Sequence, residues 1–190
     1  MALFKKNYST KSDEELMSLL TKGGQSAFDE LYRRYAQPML HFFFRLLNAD
    51  RERAEDMVHD LFLKVIEQPH SFDAARPFRT WFYSLAANMV RNEYRSRQVR
   101  NEHAADVGHQ PEPLEFMKDD MDRQLFDHRL QTELSRLDSD AQLIFKLRFG
   151  EEMSVKQIAE IINCPEGTIK SRLFYITKQL GTKLAIYKPN

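Results

Sequence analysis

Apolar residues recur three and four positions apart along nearly the whole chain, and no convincing stretch alternates as a half-buried strand does. That periodicity confines the 190-residue chain to an all-α fold. Ser12 and Glu15 form a capping-box pattern opening a short helix, with Leu16, Leu19 and Leu20 on one face and Gly23-Gly24 as its stop. A second helix begins near Ser26, with Phe28, Leu31, Tyr32 and Tyr35 in phase; Pro38 is expected to kink or split it. A third starts near Asp50 and ends at Pro69, its apolar stripe being Ala54, Met57, Val58, Leu61, Phe62 and Val65. After a loop over 70–77, a fourth turns Phe78, Phe82, Leu85, Ala86 and Met89 inward and becomes basic at its end.

Periodicity then stops. Residues 101–121, with Gly108, Pro111, Pro113 and many acids, read as a flexible linker. Helices resume near Asp122, so the chain divides into a bundle over 1–100, a linker over 101–121 and a second helical domain over 122–190. Charge follows the same division. The formal net charge is zero, yet residues 101–140 carry 11 acidic against 4 basic side chains, and the segments on either side are net basic. Such segregation points to a nucleic-acid partner.

The strongest local pattern lies at 154–180. Ser154 can cap a helix whose Val155, Ile158, Ala159 and Ile162 face inward. Asn163 suits a left-handed closing residue, Pro165 stiffens the turn, and Gly167 or Thr168 starts a second helix packed through Ile169, Leu173 and Ile176. This is a helix-turn-helix, with Lys170, Ser171, Arg172, Tyr175 and Lys178 facing outward. Their amine, guanidinium and hydroxyl groups suit phosphates and base edges. A helical hairpin with a solvated basic face is the plainer alternative.

A second cluster interleaves Phe72, Phe78, Trp81, Phe82 and Tyr83 with Arg76, Arg79, Arg91 and Arg95. Neighbours such as Trp81 and Phe82 point about 100° apart on a helix, so periodicity cannot put all the aromatics inside. Aromatics beside cations suit single-stranded DNA, the rings stacking on bases while the cations hold the backbone. Phe78 and Phe82 read as core; Phe72 and Trp81 are the better candidates for exposure.

Several classes drop out. One cysteine, Cys164, gives no internal disulfide and reads as a small buried apolar thiol. The six histidines lack metal-ligand spacing, and there is no glycine-rich phosphate loop or nucleophile motif, so neither an enzyme nor a cofactor is expected. No run reaches the roughly 18 apolar residues of a membrane span. No apolar signal-peptide core follows Met1, so a cytoplasmic protein is expected.

From about Ser12 to Leu184 the chain resembles bacterial RNA polymerase sigma factors of the sigma-70 family, in their compact extracytoplasmic-function (ECF) group. The carriers are Ala27-Phe28-Asp29-Glu30-Leu31-Tyr32-Arg33-Arg34-Tyr35, Ala54 to Val65, Ser71-Phe72, Phe78-Arg79-Thr80-Trp81-Phe82-Tyr83, Ala86-Ala87-Asn88 and Cys164 to Leu173, in that order. The resemblance implies that the helix with Asp56, His59, Asp60, Phe62 and Val65 docks on the clamp helices of the largest subunit of core RNA polymerase. It implies that Phe72 and the following loop capture a flipped base of the −10 element. Arg76, Arg79, Thr80, Trp81, Tyr83, Asn88, Arg91 and Arg95 would serve the same strand. Thr168, Lys170, Ser171, Arg172, Tyr175 and Lys178 would read the −35 element. His59 stands where many relatives carry Gln, and Tyr175 where Arg is frequent. The family also implies an anti-sigma partner, and DNA faces masked by that partner or by the two bundles packing together. A stand-alone helix-turn-helix regulator would explain residues 122–190 but leave the cluster from Phe72 to Tyr83 without a purpose.

Overall fold

The computed structural model describes residues 8–101 and 121–185, so the expected linker lies outside the described residues apart from its two ends. All described regular structure is helical. Ser12 and Glu15 exchange the reciprocal hydrogen bonds of a capping box at the start of α1 (Asp13–Leu20). Both glycines beyond it are required. Gly23 has a φ of +83°, and a Cβ on Gly24 would lie 2.9 Å from the Leu19 carbonyl oxygen.

Helix α2 (Gln25–Leu46) runs through Pro38 as one element of 22 residues, so the expected split does not occur. Proline removes one amide donor, but Met39, Phe42 and Phe43 immediately beyond it are buried and hold that turn on the core. Helix α3 (Arg51–Glu67) starts where expected, the Asp50 carboxylate accepting from the Arg53 amide at 3.0 Å. A 3-10 turn (Pro69–Ser71) and a short loop lead to α4 (Phe78–Asn101). The Phe78 amide donates to the Glu14 carboxylate at 2.8 Å, which ties the start of α4 to α1. That backbone donor holds the Glu14 carboxyl below its usual range. Phe78 and Phe82 stack with centroids 5.2 Å apart, and Tyr35 and Phe62 close on Phe82 at 5.2 and 5.5 Å. Leu85 and Met89, expected inward, are half-buried.

The C-terminal part contains α5 (Met121–Ser135), α6 (Ser139–Phe145), α7 (Val155–Ile162) and α8 (Glu166–Leu184). A π-helical turn at Lys146–Gly150, which no sequence signal announced, follows α6. Ser154 and Gln157 form a second capping box, and Asn163 closes α7 with φ 56°, the left-handed conformation expected of it. Removing the Ser154 hydroxyl by Ser154→Ala is expected to lower stability by about 1 kcal/mol, read as a shift in the denaturation midpoint. Helix α8 begins at Glu166, slightly ahead of the expected Gly167 or Thr168. Pro165 directly precedes it, where a missing amide hydrogen costs nothing to the helix.

Lys146 is buried in the π turn, with its ammonium donating to the Gln131 side-chain oxygen at 3.1 Å. Burial, with the Arg45 charge adding to it, pulls its pKa down to about 8. An unfolded lysine keeps its proton to about 10.4, so the unfolded chain binds more protons between those values. Stability contributed by this group is therefore lost as pH falls through that window. Lys146→Met is expected to stabilise the protein at pH 7 by on the order of 2 kcal/mol, with the difference from wild type shrinking by pH 10. Paired urea denaturations at the two pH values check this.

The two parts pack against each other through α4, which contacts both α6 and α7. The Tyr94 hydroxyl donates to the Leu46 carbonyl and lies 3.3 Å from the Gln142 side-chain oxygen. Burial pushes Tyr94 up to about 12.

Candidate nucleic-acid interface

Three surfaces carry the residues singled out from sequence. The first is the outer face of α3. Asp56, His59 and Asp60 are exposed there, as expected of a docking face. Phe62 and Val65 are not: both lie in the core, 2% and 0% exposed. The helix is one turn per 3.6 residues, so positions in phase with Met57, Val58 and Leu61 turn inward. Phe62 instead supports the face from behind, its ring 4.7 Å from that of Tyr32. The apolar groups that do reach solvent are Leu63 and Ile66 on α3 and Tyr32 on α2, 38%, 45% and 47% exposed. Sequence reasoning missed them. The available signal was that Leu63 and Ile66 are large and apolar yet out of phase with the inner stripe.

The second surface is the start of α4 with the loop before it. Arg76, Asn88 and Arg95 are exposed. Phe72 is half-buried against Phe78 and Trp81, with centroids at 5.8 and 5.2 Å. Trp81 is half-buried as well, so an edge of this aromatic cluster meets solvent. Thr80 and Tyr83, placed by the resemblance on the DNA strand, are buried in this arrangement, 5% and 1% exposed. Tyr83 packs edge-on against Phe42 and its hydroxyl donates to the Glu151 carboxylate. Burial first and the Glu151 charge second push the Tyr83 phenol well above its usual range. The Thr80 hydroxyl oxygen is buried with no hydrogen-bond partner among the described residues.

The third surface is α8. Lys170, Ser171, Tyr175 and Lys178 are exposed, with Thr168 and Arg172 half-buried at its start. Ile169, Ile176 and Leu180 fix this orientation by burying the opposite face. Tyr175 is 67% exposed and its ring lies edge-on to that of Phe174, which is also exposed and was not anticipated.

Between the second and third surfaces the two parts meet through acids of the C-terminal part. The Asp140 carboxylate accepts from Arg91 Nε at 2.9 Å through one oxygen and from Arg172 Nη1 at 3.3 Å through the other. Burial acts to raise the Asp140 pKa, but the Arg91 and then the Arg172 guanidinium outweigh it and hold the carboxyl below its usual range. Arg79 donates to the Glu151 carbonyl at 2.7 Å and lies 3.7 Å from its carboxylate. Arg91 also donates to the Ile162 carbonyl at 3.3 Å, at the end of α7. A cleft of about 440 Å3 remains between Arg76, Trp81 and Asn88 on one side and Ile161, Ile162 and Asn163 on the other. Among the described residues no group of three His, Cys, Asp or Glu side chains is placed to hold a metal ion.

Two family models match: sigma-70 region 2 over residues 31–100, and sigma-70 region 4 over residues 127–180. The chain is 27% identical to the RNA polymerase sigma-H factor of Pseudomonas aeruginosa, across 86% of this chain and 89% of that one. It is 28% identical to the ECF RNA polymerase sigma-E factor of Haemophilus influenzae, across 91% and 95%. Two solved structures share the fold with a TM-score of 0.69 at 21% identity. One is the sigma factor RpoE in complex with the anti-sigma factor NepR from Bartonella quintana, matched over 85% of this chain and 98% of that one. The other is CnrH in complex with the cytosolic domain of CnrY, matched over 92% and 97%.

Proposed function

Because the chain belongs to the sigma-70 family of RNA polymerase sigma factors, in its ECF group, we propose that it docks on core polymerase and directs it to promoters with two spaced elements. The observation that supports this reading is the coexistence in one chain of an exposed acidic and apolar face on α3, the α4 aromatic-basic cluster and the outward α8 face. A regulator working by duplex binding has use for the last of these and none for the other two.

The α3 face meets the clamp helices of the largest subunit. Asp56 and Asp60, one turn apart, meet basic groups there, and Leu63 and Ile66 supply the apolar contact. His59 lies between them. Residues of α8 enter the major groove of the −35 element, with Lys170, Arg172 and Lys178 on phosphates or guanine edges and Ser171 and Tyr175 on either. The loop with Phe72, followed by Trp81 and Asn88, receives unstacked bases of the −10 non-template strand, and Arg76, Arg91 and Arg95 hold its backbone. Flipping a base costs a few kcal/mol of unstacking, which an aromatic and polar pocket offsets. Melting then needs no nucleotide hydrolysis by this chain. The acidic segment before α5 threads toward the polymerase channels. A second protein, an anti-sigma factor, regulates the chain, which works with polymerase in the cytoplasm.

The test mixes the purified chain with bacterial core polymerase on a promoter library and sequences the transcripts. Start sites preceded by two motifs at fixed spacing are expected. Core binding without selected starts would contradict the promoter assignments of α4 and α8.

A further inference from the structure

The cleft between α4 and α7 has a volume of about 440 Å3. That lies within the range of about 300–1,000 Å3 that suits a small ligand. One wall, from α4 and the loop before it, carries Arg76, Thr80, Trp81 and Asn88. Much of this wall already has a proposed role on the −10 strand. The opposite wall has none. It is the last turn of α7, with Glu160, Ile161 and Ile162, and the residue that closes the helix, Asn163.

The polar groups of both walls have hydrogen-bonding capacity to spare. The Thr80 hydroxyl oxygen is buried and has no hydrogen-bond partner among the described residues, which costs free energy unless a group in the cleft meets it. Glu160 is exposed and has no ion pair or hydrogen bond among the described residues. The side chains of Asn88 and Asn163 are exposed as well. Arg76 lies 3.7 Å from the Asp73 carboxylate and is mostly exposed, so its guanidinium is open to a further anion. Arg91, the second arginine of the cleft, is already held by Asp140 and the Ile162 carbonyl.

We propose that this cleft binds a purine nucleoside monophosphate, guanine in preference to adenine. Trp81 gives the base a stacking face, and Ile161 and Ile162 give it an apolar floor. Glu160 selects the base. Guanine presents its N1–H and its exocyclic amine side by side, and a carboxylate takes two such donors with its two oxygens. Adenine presents an unprotonated N1 on that edge, which a carboxylate repels. Arg76 takes the phosphate through paired N–H donors. One phosphate matches the one arginine that is open. The Thr80 hydroxyl and the two asparagine amides serve the remaining ring nitrogens and the ribose. This site goes beyond promoter recognition and does not depend on it. One consequence does rest on the proposed promoter contacts: Trp81 cannot stack on a nucleotide and on an unstacked −10 base at once, so the two compete.

The chain has one tryptophan, so its fluorescence reports on this cleft. The test titrates the full chain with GMP, AMP, CMP and inorganic phosphate, corrects for absorption against N-acetyltryptophanamide, and follows the melting temperature in parallel. GMP is expected to quench saturably at one site and to raise the melting temperature, as any ligand of the folded state does. It is expected to bind roughly tenfold tighter than AMP, the discrimination that a good bidentate contact to a base edge supplies. CMP, with its smaller ring, is expected to bind more weakly than either, and phosphate is expected not to quench. Glu160→Gln, at an exposed position, is expected to keep the melting temperature of the free chain and to bring GMP and AMP within about threefold of each other. Absence of saturable quenching by GMP, equal affinity for GMP and AMP, quenching by phosphate equal to that by GMP, or an unchanged preference in Glu160→Gln would overturn the proposal. No readout involves polymerase or promoter DNA, so failure of this site is distinct from failure to bind core or to select promoters.

Discussion

Leu63→Glu together with Ile66→Glu is expected to weaken binding to core RNA polymerase by about 100-fold, while the free chain keeps its helicity and melting temperature. Both side chains are apolar and already reach solvent, and neither belongs to the buried core, so glutamate at either position leaves the core residues in place. At a docked interface the same carboxylates would be desolvated beside apolar groups. A 100-fold loss is about 2.8 kcal/mol, roughly 1.4 kcal/mol for each of the two residues, which is within the range of an interface residue that contributes to binding. Asp56 and Asp60 on the same face give a second check: neutralising both by Asp56→Asn/Asp60→Asn is expected to reduce binding most strongly at low salt. Competition titration of labelled wild-type chain against each variant measures both effects. A Leu63/Ile66 variant within threefold of wild type would mean that α3 does not carry the docking face.

Trp81→Ala is expected to reduce promoter opening by roughly 10-fold to 100-fold with core binding unchanged, since stacking a base on an aromatic side chain is worth about 1–3 kcal/mol. Part of any loss could come from packing, because Trp81 lies 5.2 Å from Phe72 and 5.6 Å from Phe78. Trp81→Tyr separates the two contributions: it retains a stacking face and is expected to recover most of the activity. Permanganate reactivity of unpaired thymines within the −10 element, measured at saturating holoenzyme, reads opening directly. Equal reactivity for wild type and Trp81→Ala would remove Trp81 from the melting surface.

The local features were legible because each is written in neighbouring residues. Ser12 with Glu15, the Ser154 cap and Asn163 carry their own backbone consequences, and all three behave as read, Gln157 completing the Ser154 cap as a capping box that was not read from the sequence. The inner stripe of α3 was legible too, but the same stripe misled about its outer face. Phe62 and Val65 match a docking pattern in the linear sequence while their phase turns them inward, and Leu63 and Ile66 face out instead. Pro38 signalled a break by its chemistry, yet the buried residues after it keep α2 whole. What was hidden was long-range. Asp140 reads as an ordinary acid in the first turn of a helix, and nothing nearby in sequence shows that Arg91, 49 positions earlier, shares it. Tyr83 looked like a member of an exposed aromatic-basic cluster, and the resemblance placed Thr80 on the same DNA strand, for the same reason. The burial of Tyr83 involves Phe42 and Glu151, far away along the chain, and such contacts leave no periodic trace.

The most direct test of the central claim is an equilibrium titration of bacterial core RNA polymerase against the fluorescently labelled full chain. Saturable one-to-one binding, displaced by unlabelled chain and lost on Leu63→Glu/Ile66→Glu, is the predicted result. Absence of binding at micromolar polymerase, with duplex DNA bound instead by a dimer of the free chain, would contradict the sigma-factor account and leave a stand-alone helix-turn-helix regulator.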